Sequence, residues 1–274
     1  MKICVISDLH IDQSQWNWDA LRDHPADLVI IAGDISNNIM RNCTWLAKLR
    51  TLYPKVIWIA GNHDYYNSGF HETRIYTPGD PPHPYYVAEM REHYRQFSEH
   101  HDIHFLDPGS VTIDGVTFVG ATGWHDYVAG EPYTQEQQIN VWHDYINDRF
   151  IRWNAGEPTH ANPWQAGNAD AEYLNQAVAC ATGPIVAITH HIPHRSLLWQ
   201  KPHDPIWTAM HGSFANTQLE KIQSPDLKYW IYGHTHTRGM KTLNECKYVC
   251  NARGYPGENS HWEPVVFDIT QELF

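Results

Sequence analysis

A mixed α/β domain built largely on parallel strands is what this chain predicts, and three observations carry the prediction. Short, nearly all-apolar runs recur along the sequence, as expected of strands covered on both faces. Apolar residues at helical spacing stand between some of them, which is the pattern of a βαβ unit. The chain has 274 residues, 42% hydrophobic and 18% charged, an ordinary globular composition with enough length to bury a sizeable core.

The elements follow in order. "KICVIS" (2–7), "DLVIIA" (27–32) and "KVIWIA" (55–60) are the first three strands. Between the last two, Ile39, Cys43, Leu46, Leu49 and Leu52 recur with the period of a helix, and Val87, Met90, Tyr94 and Phe97 mark another. "TPGDPPHP" (77–84) breaks both periods and reads as a surface excursion inside one domain. "SVTIDGVTFVGAT" carries Asp114-Gly115 between two β-prone arms, a hairpin signal. Residues 124–168 are rich in Trp, Tyr, His, Asn and Pro and read as an aromatic-rich loop or cap insertion with short helices. "WHDY" occurs there at 124–127 and 142–145, too short a match to need a repeat architecture. A helix near 170–181 precedes the strands "PIVAIT" (184–189), "KYWIY" (228–232), "KYVCNA" (247–252) and "PVVFDI" (264–269). No low-complexity linker divides the chain, so residues 1–274 read as a single domain.

Composition narrows the function classes. The formal charge of −12, from 31 acidic and 19 basic residues, argues against an extended nucleic-acid groove, which needs clustered Lys and Arg to replace counterions. A small phosphorylated substrate stays open if something else supplies positive charge. No apolar run reaches the ~18 residues of a membrane span, and the N-terminus lacks a signal-peptide layout. Five cysteines without tight pairing suggest reduced thiols. Cys246 and Cys250, the nearest pair, read as small buried strand residues. A cytoplasmic protein without membrane contact is therefore expected; oligomeric state leaves no signal.

The polar residues that follow each apolar run form a set. After "KICVIS" come Asp8 and His10; after "DLVIIA", Gly33 and Asp34; after "KVIWIA", Gly61, Asn62, His63 and Asp64. After "PIVAI" come His190 and His191; after "KYWIY", Gly233, His234 and His236. In α/β sheets ligands bind at the carboxyl ends of strands, and here five strands deliver Asp, Asn or His at that end. His234 and His236, two apart in extended chain, are expected to point the same way. Each pair alone has an ordinary explanation as a cap, turn or packed imidazole. Together they make a mixed nitrogen and oxygen nest for a divalent metal, and a ligand count above four argues for two ions sharing a carboxylate. Imidazole and carboxylate ligation suits manganese, iron, zinc or nickel.

The ordered blocks "DLH", "GD", "GNHD", "HH" and "GHTH", spread over residues 8–236, resemble the calcineurin-like metallophosphoesterase superfamily. "GATGWHDY" (120–127) and "NARGYPGEN" (251–259) are similar to segments of its single-domain bacterial and phage branch. The resemblance implies a four-layer α/β/β/α sandwich with a dinuclear site between two central mixed sheets. It assigns one metal to Asp8, His10 and His236 and the other to Asn62, His190 and His234, with Asp34 bridging. His190 is preferred over His191 because the first His of such a pair fits the family pattern. His63 would face substrate as a protonated imidazole, with Asp64 behind it fixing its tautomer.

The expected reaction is hydrolysis of a phosphomonoester or phosphodiester by in-line attack of a metal-bridging hydroxide, His63 assisting the leaving group. Two rival readings stand beside it: a catalytically silent, metal-stabilised scaffold, and a nucleotide or cyclic-nucleotide phosphodiesterase variant of the same chemistry. Asn62 and His63 are candidate substrate contacts. Arg195 and Arg253 read either as a phosphate clamp or as ordinary surface and packing arginines. Trp124, His125, Tyr127 and Trp142 either roof the site or pack among themselves.

Overall fold

The computed structural model describes residues 1–66, 86–154, 159–199 and 204–269, so the expected excursion at 77–84 lies outside the described residues. The strands are β1 (Lys2–Ile6), β2 (Leu28–Ala32), β3 (Val56–Ile59), β4 (His104–Phe105), β5 (Gly109–Ile113) and β6 (Val116–Ala121). They continue with β7 (Ile185–Thr189), β8 (Leu227–Tyr232), β9 (Arg238–Leu243), β10 (Cys246–Asn251) and β11 (Val265–Asp268). The helices are α1 (Asp19–Arg22), α2 (Ile39–Arg50), α3 (Val87–His100), α4 (Gln135–Tyr145), α5 (Ala161–Cys180) and α6 (Pro205–Met210).

Two mixed sheets stand face to face. The first has the order β11-β1-β2-β3-β4, with β1 to β4 parallel and β11 antiparallel at the edge. The second has the order β5-β6-β7-β8-β10-β9, parallel through its four central strands and antiparallel at both edges. Alternate residues of each strand leave on opposite faces, and this divides the core in three. Ile3, Val5, Ile30 and Ile57 meet Phe118, Val186, Ile188 and Ile231 between the sheets. Cys4, Ile6, Val29 and Trp58 pack outward under α2 and α3. Ala187, Trp230 and Cys250 pack outward under Leu174 and Val178 of α5. The result is the four-layer α/β/β/α sandwich.

Local chemistry explains most elements. Asn38 caps α2 by accepting the Arg41 N–H, and Thr134 with Gln137 forms a capping box on α4. Asp114 and Gly115 both have positive φ, the requirement of a two-residue hairpin turn between β5 and β6. α5 begins at Ala161, earlier than expected, and Ala171, Leu174 and Val178 are its buried apolar contacts with the core below. β9 has no counterpart among the expected strands: "RGMKTL" is an almost wholly exposed edge strand, so no burial pattern marks it. Cys246 and Cys250 are buried on β10, and all five cysteines are free. Among the described residues no helix is long and apolar enough to cross a membrane.

The sheets join at the end where the strand-end polar residues gather. Ser7 bridges to Ala252, and Gly254 N–H donates to the Asp8 carbonyl at 2.9 Å. Asn251, fully buried, donates its amide to the carbonyls of Val5 (2.8 Å) and Glu263 (3.1 Å). Asn251→Ala strips a buried carbonyl of its donor, and urea denaturation is expected to read a loss of about 1–3 kcal/mol. A loss below about 0.5 kcal/mol would remove Asn251 from the joint between the sheets.

Candidate metal centre

Five parallel strands, β1, β2, β3, β7 and β8, end at one place, and the turns after them carry the candidate ligands. Asp8 (φ 50°), His10 (41°), Asp34 (60°), His234 (70°) and His236 (51°) all have left-handed backbone. That conformation is unfavourable for a residue with a Cβ and clusters at functional sites. It also corrects the expectation that His234 and His236 point the same way. The turn is not extended, and the two rings go to different groups. Two glycines make the crowding possible. Gly33 (φ 85°) lies where a Cβ would meet His190 Nδ1 at 2.6 Å, and a Cβ at Gly61 would collide with Asp34 Oδ1.

The side chains form two groups that share Asp34: Asp8, His10, Asp34 and His236 in one, and Asp34, His190 and His234 in the other. Within each group the ligand atoms lie within 4.8 Å of one another. Asn62 joins the second, its Oδ1 3.0 Å from His190 Nε2. His190 Nδ1 donates to the Ala32 carbonyl at 2.8 Å, which leaves Nε2 facing Asn62 Oδ1, His234 Nδ1 at 3.2 Å and Asp34 Oδ2 at 3.3 Å. His236 Nδ1 donates to Glu258 at 2.6 Å, so its Nε2 faces His10 Nε2 at 3.1 Å and Asp8 Oδ1 at 3.5 Å. Asp8 Oδ2 and His10 Nδ1 are buried without a partner. Lone pairs turned on one another in a dry site require positive charge between them, and this donor set fits divalent cations.

Ionisation follows the same logic. Burial opposes charge on Asp34, yet His190 and His63 beside it hold its carboxyl well below the ordinary range. Burial likewise opposes a proton on His190, but Asp34 and Asp8 prevail and lift it to about 10. His10, with more burial than compensation, falls to about 2. Asp8 is raised by burial, with His190 and His236 opposing. In this arrangement a proton on His190 supplies the compensating charge that a cation would supply.

Several expected roles are corrected. Asp64 does not orient His63: its carboxylate accepts the N–H groups of Gly61 (2.8 Å), Asp34 (2.8 Å) and Ile35 (3.0 Å), and the Asn42 amide (2.9 Å). It ties the turns after β2 and β3 together. Burial and the charge of Asp34 raise it to about 8 against the pull of those donors. His63 instead donates Nδ1–H to Asn37 Oδ1 at 2.7 Å, and its Nε2 accepts from the Tyr255 hydroxyl at 3.1 Å. Burial lowers its pKa, with the charge of Asp34 opposing. Arg195 pairs with Glu220 (3.1 Å) and Glu131 (3.2 Å) on the surface. Arg253 donates to the Leu9 carbonyl and Ser14 hydroxyl, both at 2.6 Å, and lies over Trp16. Neither arginine lines the cleft. Trp124, His125, Tyr127 and Trp142 are buried and none of them lines the cleft, so they do not roof it.

What does line the cleft, a space of about 620 Å³, is Asp34, Asn62, His63, His234 and His236 at its floor, with Tyr145, Trp199, Trp207, Phe214 and Tyr255 among its walls. Sequence reasoning missed Asn37, Tyr255 and Glu258. "NARGYPGEN" contains the last two, but the charge of Arg253 drew attention away from its aromatic neighbour. Asn37 follows Asp34 by three residues with no periodicity to mark it. Asp64→Asn is expected to lower stability by about 1–3 kcal/mol, because an amide turns N–H toward backbone donors. Asn37→Ala is expected to leave stability within about 0.5 kcal/mol but to change the ¹⁵N shifts of the His63 ring. Unchanged ring shifts would show that Asn37 does not set the tautomer.

Comparison with known proteins agrees with this geometry. An uncharacterized protein, L509, of Acanthamoeba polyphaga mimivirus is 24% identical over 98% of this chain and 96% of its own length. The crystal structure of phosphopantetheinyl hydrolase from Mycobacterium tuberculosis superposes with a TM-score of 0.74 at 18% identity, covering 96% of this chain and 95% of the other, and so shares the fold. The model of the calcineurin-like phosphoesterases matches residues 1–238. With that match spanning β1 to β8, the turns after them and every ligand-type residue from Asp8 to His236, the chain belongs to the calcineurin-like phosphoesterase family and is a metal-dependent phosphoester hydrolase.

Proposed function

We propose that the chain hydrolyses a small phosphoester whose leaving group carries an aromatic or apolar part. The observation that carries this reading is the composition of the cleft. Its floor is the Asp34-centred cluster, its walls include Trp199, Trp207, Phe214 and Tyr145, and no lysine or arginine is among the described residues that line it. A phosphate entering beside Asp34 and Glu258 meets repulsion unless cations neutralise it. Aromatic walls suit a base or another flat apolar group.

Two divalent cations would be held by Asp8, His10 and His236 on one side and Asn62, His190 and His234 on the other, with Asp34 shared. Manganese, iron, zinc and nickel all suit these donors. When bound, they would neutralise phosphate oxygens and lower the pKa of water. The chain's own residues hold and orient. Ala32 and Glu258 fix the tautomers of His190 and His236 through their Nδ1 atoms. His63 and Tyr255 hold one proton between them at the cleft, Tyr255 O–H donating to Nε2 at 3.1 Å. That proton is available to a leaving oxygen in the cleft, with Asn37 keeping Nε2 turned inward.

Chelation is expected to abolish hydrolysis and added manganese to restore it. Asp34→Asn is expected to lose bound metal, read by elemental analysis, and to lower kcat at least about 100-fold. Tyr255→Phe is expected to lower kcat about 100-fold on an alkyl phosphoester, with KM little changed. It should matter little on a p-nitrophenyl ester, whose leaving group needs no proton. Equal losses on both esters would remove Tyr255 from proton donation. A panel of monoesters, diesters and nucleotides, cyclic ones included, decides the ester class. No turnover with any metal in a folded protein would favour the scaffold reading.

A further inference from the structure

A third group of ligand-type side chains lies behind the cleft, and none of its members lines it. His125, Asp148 and His191 are buried, and one ligand atom of each lies within 4.8 Å of the others. They come from three separate segments: the turn after β6, the segment after α4 and the turn after β7. His125 Nδ1 and His191 Nε2 stand 3.4 Å apart, a separation at which two imidazoles can share one cation. Asp148 Oδ1 accepts the Asn62 amide at 2.7 Å and the Tyr66 hydroxyl at 2.5 Å. Three further atoms of the group, His125 Nε2, His191 Nδ1 and Asp148 Oδ2, are buried with no hydrogen-bond partner. A packing role leaves Asp148 Oδ2 without a partner, since buried polar atoms are ordinarily satisfied. A cation held by His125 Nδ1 and His191 Nε2 would account for that oxygen, the far nitrogens of both rings then carrying their protons.

We propose that His125, Asp148 and His191 form a third divalent-cation site, distinct from the Asp34-centred pair. Two imidazoles and one carboxylate are the donor set of a zinc-class ion rather than of magnesium or calcium, which take oxygen. Because its side chains are buried away from the cleft, the site is structural. The ion ties three segments together behind Asn62, whose amide Asp148 holds. This inference does not depend on the pair at Asp34 being filled.

The test is anomalous diffraction at the zinc edge from crystals of the full chain loaded with zinc, together with metal-to-protein ratios for the wild type and His125→Gln. A peak between His125 and His191, and a ratio that falls by one in the variant, are the expected results. Peaks around Asp34 with none at His125 would overturn the third site and leave the pair standing. A peak at His125 with none around Asp34 would support the third site and overturn the pair. Should His125→Gln fail to fold, the wild-type anomalous map alone decides.

Discussion

The site depends on lone pairs forced to face one another. His190 Nε2 looks at an amide oxygen, a carboxylate oxygen and a second imidazole nitrogen, all within 3.3 Å, because its other nitrogen is committed to the Ala32 carbonyl. His236 is turned the same way by Glu258. Such an arrangement persists only if positive charge sits in the middle, and the rest of the local structure serves to hold it. Asp64 gathers the N–H groups of the turns after β2 and β3, so that Asp34 cannot swing away from its imidazoles.

Backbone conformation records the cost of this crowding. The left-handed residues Asp8, His10, Asp34, His234 and His236 are side chains the cluster uses. Each is disfavoured, by roughly 1–3 kcal/mol for residues held in sparsely populated regions. The two sheets behind supply the rigidity that keeps the turns in place, through the three apolar layers and the Ser7–Ala252 bridge that closes them at the site. Glycines at 33 and 61 provide the room.

The walls of the cleft come from a different part of the chain from its floor. The floor of the cleft is built from strand-end turns, whereas its aromatic walls come from the end of α4, from α6, from the segments around Trp199 and Phe214, and, at Tyr255, from the segment after β10. The segment 124–168 therefore divides between core and cleft. Its first half packs Trp124, His125 and Tyr127 inward, while Tyr145, Ile146 and Asn147 reach the cleft. The two "WHDY" stretches fall on either side of that division: Tyr127 is buried, and Tyr145 is exposed at the cleft.

The sequence by itself determined the sandwich strands and the polar residues at their ends. Apolar runs such as "DLVIIA" can only be covered strands, and a polar residue just past a covered strand must lie at its tip. It left β9 unread, because a strand exposed on both faces has no burial pattern. Tertiary structure alone decided the partners of each side chain. Asp64 and Arg253 carry the right charges for catalysis but are drawn to backbone donors and carbonyls that no local pattern announces. Asn37 and Tyr255 come to His63 from turns 26 and 192 residues away in the chain. Which nitrogen of an imidazole is free is set by such long-range contacts, and the chemistry of the site rests on that choice.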